Sequence, residues 1–433
     1  MNADDDLLQV KTALPAIDKF KEKALQWASS FDTACLLDSN GFTDPYTSFD
    51  LAIAAGTRRL ITPQGENAFG ELGALLEKEP GWYFGFLSYD LKNDVEELTS
   101  ANADHLRFPD LCFFQPLHLL LVKGGELTIM SANPDEVLAA IGRMQEMTTT
   151  TRQENLLINA RFSREDYIAT VQAIREHLRR GDVYELNFCQ EFYAENASID
   201  PVSLYLALNA ISPTPFSGFM KHNERYILSA SPERFIKKAK DRLISQPIKG
   251  TASRSADPDT DREIIGQLRS DAKEQAENVM IVDLVRNDLT RCSVPGSVKV
   301  EELFGIYSFS QVHQMISTIV SNPDPAKGPA SLISAVFPMG SMTGAPKFRA
   351  MQLIEQYERT KRGAFSGAIG YFTPEGDFDF NVVIRTLLYN AAEKYLSFQA
   401  GSAITYDSDP EKEYGECLLK VSGIMSILGK SWD

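Results

Sequence analysis

Residues 363–390 read GAFSGAIGYFTPEGDFDFNVVIRTLLYN. Two apolar, strand-like runs flank the five residues TPEGD, and a third run, KYLSFQAGSAITY (394–406), follows at once. A connection that short joins antiparallel neighbours, because parallel strands need a crossover of a dozen or more residues. Strands in direct succession therefore argue against a doubly wound parallel fold and predict an α+β chain with extensive antiparallel sheet.

The rest of the chain fits that expectation. LPAIDKFKEKALQWASSF (14–31) predicts a helix, and FDLAIAA, WYFGFLSYDL and HLLLVKGGELTIMSA predict strands broken by turns. The polar, threonine-rich MTTTTRQENL (147–156) is the candidate linker between an amino-terminal region, 1–150, and a second region, 160–427. SREDYIATVQAIREHLRRGD (163–182) predicts an amphipathic helix with Ser163 at its start and Gly181 past its end.

Bulk properties narrow the partners. A chain of 433 residues with 43% hydrophobic and 24% charged residues is globular rather than disordered. Its net charge of −16 opposes a nucleic-acid or acidic-membrane partner, which needs a basic exterior. The five cysteines, Cys35, Cys112, Cys189, Cys292 and Cys417, are scattered, as free thiols of a reducing compartment would be. The start, MNADDDLLQV, lacks a signal pattern, and LHLLLV (117–122) is too short to span a bilayer. These points predict a cytoplasmic protein.

Several constellations could carry chemistry. Glu274 and Glu277 stand three apart on one predicted helix, and Glu413 and Glu416 repeat the spacing on another. Four carboxylates so presented could serve one Mg²⁺, or they could be solvated faces with Glu416 paired to Lys420. In SASPERF (229–235), Glu233 ends a predicted strand, as a site residue or as half of an exposed turn pair with Arg234. FPMGSMTGAPK (337–347) is a turn-rich helix entry that could receive an anion. His313 lies among apolar neighbours, as a core residue or a catalyst, and Arg385 interrupts a Val, Ile and Leu run, which demands an anionic partner. In SQPIKGTASR (245–254), Lys249 runs into Gly250 and is either a surface lysine or one aimed into a pocket.

Together these segments closely resemble the chorismate-utilising enzymes, the family of anthranilate synthase component I and aminodeoxychorismate synthase component I. The segments are GDVYELNFCQEF, SASPERF, PIKGTASR, KEQAENVMIVDLVRNDL, VHQMIST, FPMGSMTGAPK, SGAIGYF, VVIRTL, QAGSAI and DSDPEKEYGE, in that order over residues 160–427. The resemblance implies an α/β sandwich, chorismate as substrate, and Mg²⁺ held by Glu277 and Glu416 with Glu274 and Glu413 beside them. It implies that Tyr371, Arg385 and Gly401 hold the enolpyruvyl carboxylate, with His313, Thr343, Gly250 and Thr251 near the ring.

The subfamily turns on residue 249. P-I-A-G-T is similar to anthranilate synthases and P-I-K-G-T to aminodeoxychorismate synthases, and by that resemblance Lys249 is a nucleophile and Glu233 the acid at the departing C4 hydroxyl. A partly desolvated pocket is expected to lower the lysine pKa. The resemblance further implies a glutamine amidotransferase subunit supplying ammonia, since no cysteine here sits on a glycine-flanked elbow, and a product leading to 4-aminobenzoate and folate. The alternatives are anthranilate formation and a non-catalytic binding protein. Ser39, Tyr46 and Phe216 match a tryptophan pocket, from which Ser48 and Ser212 depart. Glu185, in place of a glutamine, and Ala252 and Ser253 depart from the catalytic pattern.

Overall fold

The computed structural model describes residues 7–14, 16–63, 67–145, 156–309 and 312–430. The linker candidate at 147–156 lies outside them except for Leu156. Among the described residues twenty strands join into one hydrogen-bonded network, and every strand pairing is antiparallel. The TPEGD turn closes as expected: Thr373 N donates to Asp377 O at 2.8 Å, and Gly376 takes φ 75°. Its flanks pair antiparallel through Gly370 and Phe380.

Two sheets emerge from the pairings. One runs from Glu185–Ala194 through Tyr395–Ile404, Thr386–Asn390, Arg225–Ser231, Phe216–His222 and Thr33–Asp38 to Leu51–Ile61. The other runs from Tyr83–Leu87 through Ala368–Phe372, Phe378–Asn381, Arg234–Ala239 and Arg242–Gln246 to Val312–Ser321. The long strand Leu111–Lys123 belongs to both, pairing at its start with Tyr83–Leu87 and along most of its length with Leu51–Ile61.

Side-chain alternation explains why the first sheet is apolar on both faces. Leu36, Ile53, Leu228 and Leu387 join the core under the helices, whereas Cys35, Ala52, Ile227 and Leu388 join the core shared with the second sheet. Successive residues of a strand point to opposite faces, so a sheet covered on both sides reads as a continuous apolar run. The covering helices include Ile17–Ser29, Arg164–Arg180, Pro201–Ile211 and Pro410–Ile427. Ser163 caps the second of these, accepting from Asp166 N, and Gly181 ends it at φ 78°. No described helix is long and apolar enough to cross a membrane.

Three local expectations are revised. WYFGFLSYDL is a strand only to Leu87; Tyr89–Leu91 and Lys92–Val95 are helical turns. FDFNVVIRTLLYN is two strands, Phe378–Asn381 and Thr386–Asn390, serving different sheets, and Arg385 stands in the break at φ 53°. The boundary expected near residue 150 is crossed by hydrogen bonding, since Thr33–Asp38 pairs with Phe216–His222 and Tyr83–Leu87 with Ala368–Phe372.

Leu388 is fully buried between the sheets. Leu388→Ala should cost about 2–5 kcal/mol through lost transfer energy and a residual cavity, read as a lowered midpoint in urea unfolding.

Candidate active site

Lys249 is aimed by a defect in the sheet. Ile248 pairs with Ile316 and Thr251 with Gln314, so one extra residue is inserted between them. Such a bulge re-aims a side chain, and Gly250 allows it at φ 94°, where a Cβ would stand 3.1 Å from Glu274 Oε2. The Lys249 ammonium is thereby turned inward and donates to Glu185 Oε1 at 2.8 Å, its side chain only 13% exposed. The pocket alternative is the observed one.

The expected fall in its pKa is overturned. Burial pushes Lys249 down, but the Glu185 carboxylate, with Glu277 and Glu233 behind it, outweighs that and holds the amine above its ordinary value. Glu233 behaves oppositely. It is 5% exposed, and burial pushes its carboxyl up to about 7 against the pull of the Ser341 hydroxyl and Lys249. Arg234 beside it is buried as well, paired with Asp379 at 3.0 Å and Asp44 at 3.3 Å, so SASPERF is no exposed turn. A carboxylic acid titrating near neutrality is suited to general acid catalysis.

The paired glutamates lie where spacing placed them, on helices Ala272–Thr290 and Pro410–Ile427, capped by Asp271 and Asp409. They face a common region, because Lys273 feels all four charges and Glu274 feels Glu416. Their present partners differ. Glu277 is 3.6 Å from Lys273, Glu416 is 2.7 Å from Lys420, and Glu413 is buried and accepts from the Ser402 hydroxyl. Among the described residues no three acidic, histidine or cysteine side chains form a ready metal cage. Burial nonetheless pushes the carboxyls of Glu274 and Glu277 up, so added positive charge would relieve them. In donor chemistry Glu274, Glu277 and Glu416 suit a hard cation, and Glu413, already committed to Ser402, suits it less well.

Arg385 has no ion-pair or hydrogen-bond partner for its guanidinium among the described residues, and burial lowers its pKa. A half-buried guanidinium with no acid beside it is chemically suited to pairing with an anion. Gly401 pairs with Cys189, and a Cβ there would lie 1.8 Å from Phe188 O, so only glycine fits; its carbonyl accepts from Lys420 at 2.8 Å. Thr343 is fully buried and its hydroxyl turns back onto the Met339 and Gly340 carbonyls. Thr251 is exposed.

The ring of Tyr371 lies against Phe49, Trp82 and Phe84, and the groups that act on its hydroxyl are Asp379, Ser48, Arg234 and Asp377, not Arg385. It lines a cavity of about 60 Å³ together with Ser39, Ser48 and Phe216, while the Tyr46 hydroxyl is bonded to Glu301. His313 is fully buried with both ring nitrogens engaged, Nδ1 with Ser308 Oγ at 2.8 Å and Nε2 with Asp261 at 2.9 Å. That is the core-histidine alternative.

Spacing alone missed two features. Glu185 stood out only as a departure, with nothing local to mark it as the partner of Lys249. The other is Arg362, 1% exposed, which bonds Glu358 through two nitrogens at 2.9 and 2.6 Å and also the Met342 and Asn187 carbonyls. All five cysteines are free and buried, and burial raises each thiol pKa.

The sequence profile described as chorismate binding enzyme matches residues 22–426. The chain belongs to this family. Aminodeoxychorismate synthase component 1 of Escherichia coli is 33% identical over 426 residues, covering 92% of this chain and 93% of its own length. Anthranilate synthase component 1 of Haloferax volcanii is 39% identical over 268 residues, covering 61% of this chain and 51% of its own length. The fold matches anthranilate synthase component I of Streptococcus pneumoniae with a TM-score of 0.76 at 24% identity, covering 88% of this chain and 93% of that one. The expected α/β sandwich of the family is the observed fold.

Glu233 generates a stability prediction. Its carboxyl rises from 4.5 unfolded to about 7 folded, so its stabilising contribution is complete below pH 4.5 and is lost as pH rises through 7. Glu233→Gln, which never ionises, should leave stability unchanged at pH 4.5 and raise it by up to about 3 kcal/mol at pH 8.5, measured by denaturant unfolding.

Proposed function

We propose that this chorismate-binding enzyme aminates chorismate at C4, using ammonia, to give 4-amino-4-deoxychorismate on the route to 4-aminobenzoate and folate. The observation that carries the reading is the inward-turned, largely buried lysine in the PIKGT bulge, whose charge is felt by the neutral-range acid Glu233. Lys249, once unprotonated, adds to ring C2 as the C4 hydroxyl leaves with a proton from Glu233. Ammonia then attacks C4 and displaces the lysine from C2. Arg385, lacking an internal acid, receives a substrate carboxylate, and the Gly401 backbone lies on the neighbouring strand.

Glu277 and Glu416, with Glu274 adjacent, would hold Mg²⁺, which supplies charge neutralisation for the second carboxylate of the substrate. The ammonia comes from a separate glutamine amidotransferase subunit, with an ammonium salt as substitute. The burial of every thiol in this chain supports that division. A cytoplasmic setting agrees with five unpaired cysteines.

Anthranilate formation is the second reading, favoured by the Haloferax relative. Incubation with chorismate, Mg²⁺ and ammonium, followed by mass and fluorescence analysis, separates them: 4-amino-4-deoxychorismate is expected, and anthranilate with pyruvate overturns the proposal. Lys249→Ala should bind chorismate yet turn over at least about 100-fold more slowly; unchanged turnover would remove the nucleophile. The metal is tested without turnover. Mg²⁺ should raise the melting temperature of the wild type, since a ligand bound only to the folded state stabilises it, and should do so much less for Glu277→Ala.

A further inference from the structure

Glu185 opens the strand Glu185–Ala194 and is 1% exposed. Its backbone is pinned by pairing with Ala345, and Gly344 approaches so closely that a Cβ would stand 2.2 Å from the Glu185 carbonyl oxygen. One carboxylate oxygen, Oε1, accepts from Lys249 Nζ at 2.8 Å. The other, Oε2, is buried and has no hydrogen-bond partner among the described residues. A buried carboxylate oxygen without a donor is costly, and this one is left with a free lone pair beside Lys249.

An ammonium has no lone pair, so Lys249 must lose a proton before it can attack carbon. Glu185, Glu277 and Glu233 act on its charge, and Glu274 and Glu416 feel it in turn. Of these only Glu185 is hydrogen-bonded to Nζ. Glu233 cannot take the proton, because in the proposed reaction it must hold one for the departing hydroxyl. Glu277 faces Lys273 on its own helix.

We propose that Glu185 is the proton acceptor of Lys249, taking the proton from Nζ before attack and returning it when the amine is displaced. The role rests on the amination reading and deepens it. In the first transfer the ion pair becomes a neutral amine and a carboxylic acid, with no change in net charge. The amine lone pair then forms the bond to C2, both ring double bonds shift by one position, and the C4–O bond breaks as Glu233 protonates the hydroxyl to water. In the second half ammonia forms its bond to C4, both double bonds shift back, the C2–N bond breaks, and Lys249 leaves as the free amine. Glu185 returns its proton to that amine, and Glu233 regains one from the product ammonium or from water. Burial disfavours both charges of the pair, but in the resting pocket the surrounding carboxylates outweigh it and keep the proton on Lys249.

Steady-state kinetics of the wild type, Glu185→Gln and Glu185→Asp across pH 6–9, with chorismate, Mg²⁺ and ammonium, tests the role. Glutamine keeps the shape and can accept a hydrogen bond from Nζ but cannot take its proton. Glu185→Gln should lower kcat about 100-fold at pH 7 with the chorismate KM within about 2-fold, and the deficit should shrink toward pH 9 as bulk solvent deprotonates the amine. Glu185→Asp keeps a carboxylate and should recover most of the rate and the wild-type profile. Wild-type kcat and an unchanged pH profile in Glu185→Gln would overturn the role. Should that variant fail to fold, a loss in Glu185→Asp as large as 100-fold with a folded spectrum would overturn it instead. Failure of the wild type to form the C4-aminated product would overturn the amination reading, and this role with it, so the two failures are told apart by the wild-type product.

Discussion

The geometry of the site depends on one buried ion pair, Arg362 with Glu358. Both residues are buried, and a pair so placed is tolerated only when its remaining hydrogen-bonding capacity is met. Here it is. The guanidinium reaches both Glu358 oxygens, the Met342 and Asn187 carbonyls and the Ser366 hydroxyl, while Glu358 Oε1 accepts from Cys189 N. The loop at 340–345 and the strand at 185–189 are thereby clamped together, reinforced by Asn187, which bonds Thr343 O and Ser341 O. Glu185 lies two residues from Asn187 on that clamped strand. Its carboxylate is held at a defined place opposite the bulge that delivers Lys249.

The electrostatics of the pocket follow from that placement. A chain of net charge −16 gathers several of its acids around one inward lysine, and the result is an ammonium stabilised against the pull of burial. The same field leaves little internal positive charge for an anionic substrate. Arg385 is the exception, because its own acid is missing. Burial raises the carboxyl pKa of Glu274 and Glu277, and the proposed Mg²⁺ rests on that setting. Lysine, acid and arginine thus occupy three different electrostatic settings within one site, each set by which partner is present or absent.

Much of the scaffold was legible in local pattern. Turn chemistry at TPEGD fixed antiparallel pairing; Ser163 and Gly181 bounded a helix; the i, i+3 glutamates lay on real helical faces. Each depends on residues within a few positions of one another. Other placements share the opposite character. The family resemblance groups Tyr371 and Arg385, which stand in neighbouring apolar runs, at one carboxylate. Those runs serve different sheets, however, and a strand buried on both faces gives no compositional mark of which face meets the site. His313 was drawn into chemistry by motif, whereas Asp261 and Ser308, 52 and 5 residues away, already satisfy it.

By itself, then, the sequence determined the antiparallel α+β class, the helix boundaries, the two carboxylate pairs and the family, because these follow from short-range turn geometry, periodicity and ordered motifs. Tertiary structure alone decided that Lys249 meets Glu185, that Glu233 is dry enough to titrate near neutrality, and that Arg385 has no acid among the described residues. Those outcomes depend on which distant side chains share a low-dielectric space, and burial there changes protonation by amounts no local pattern encodes.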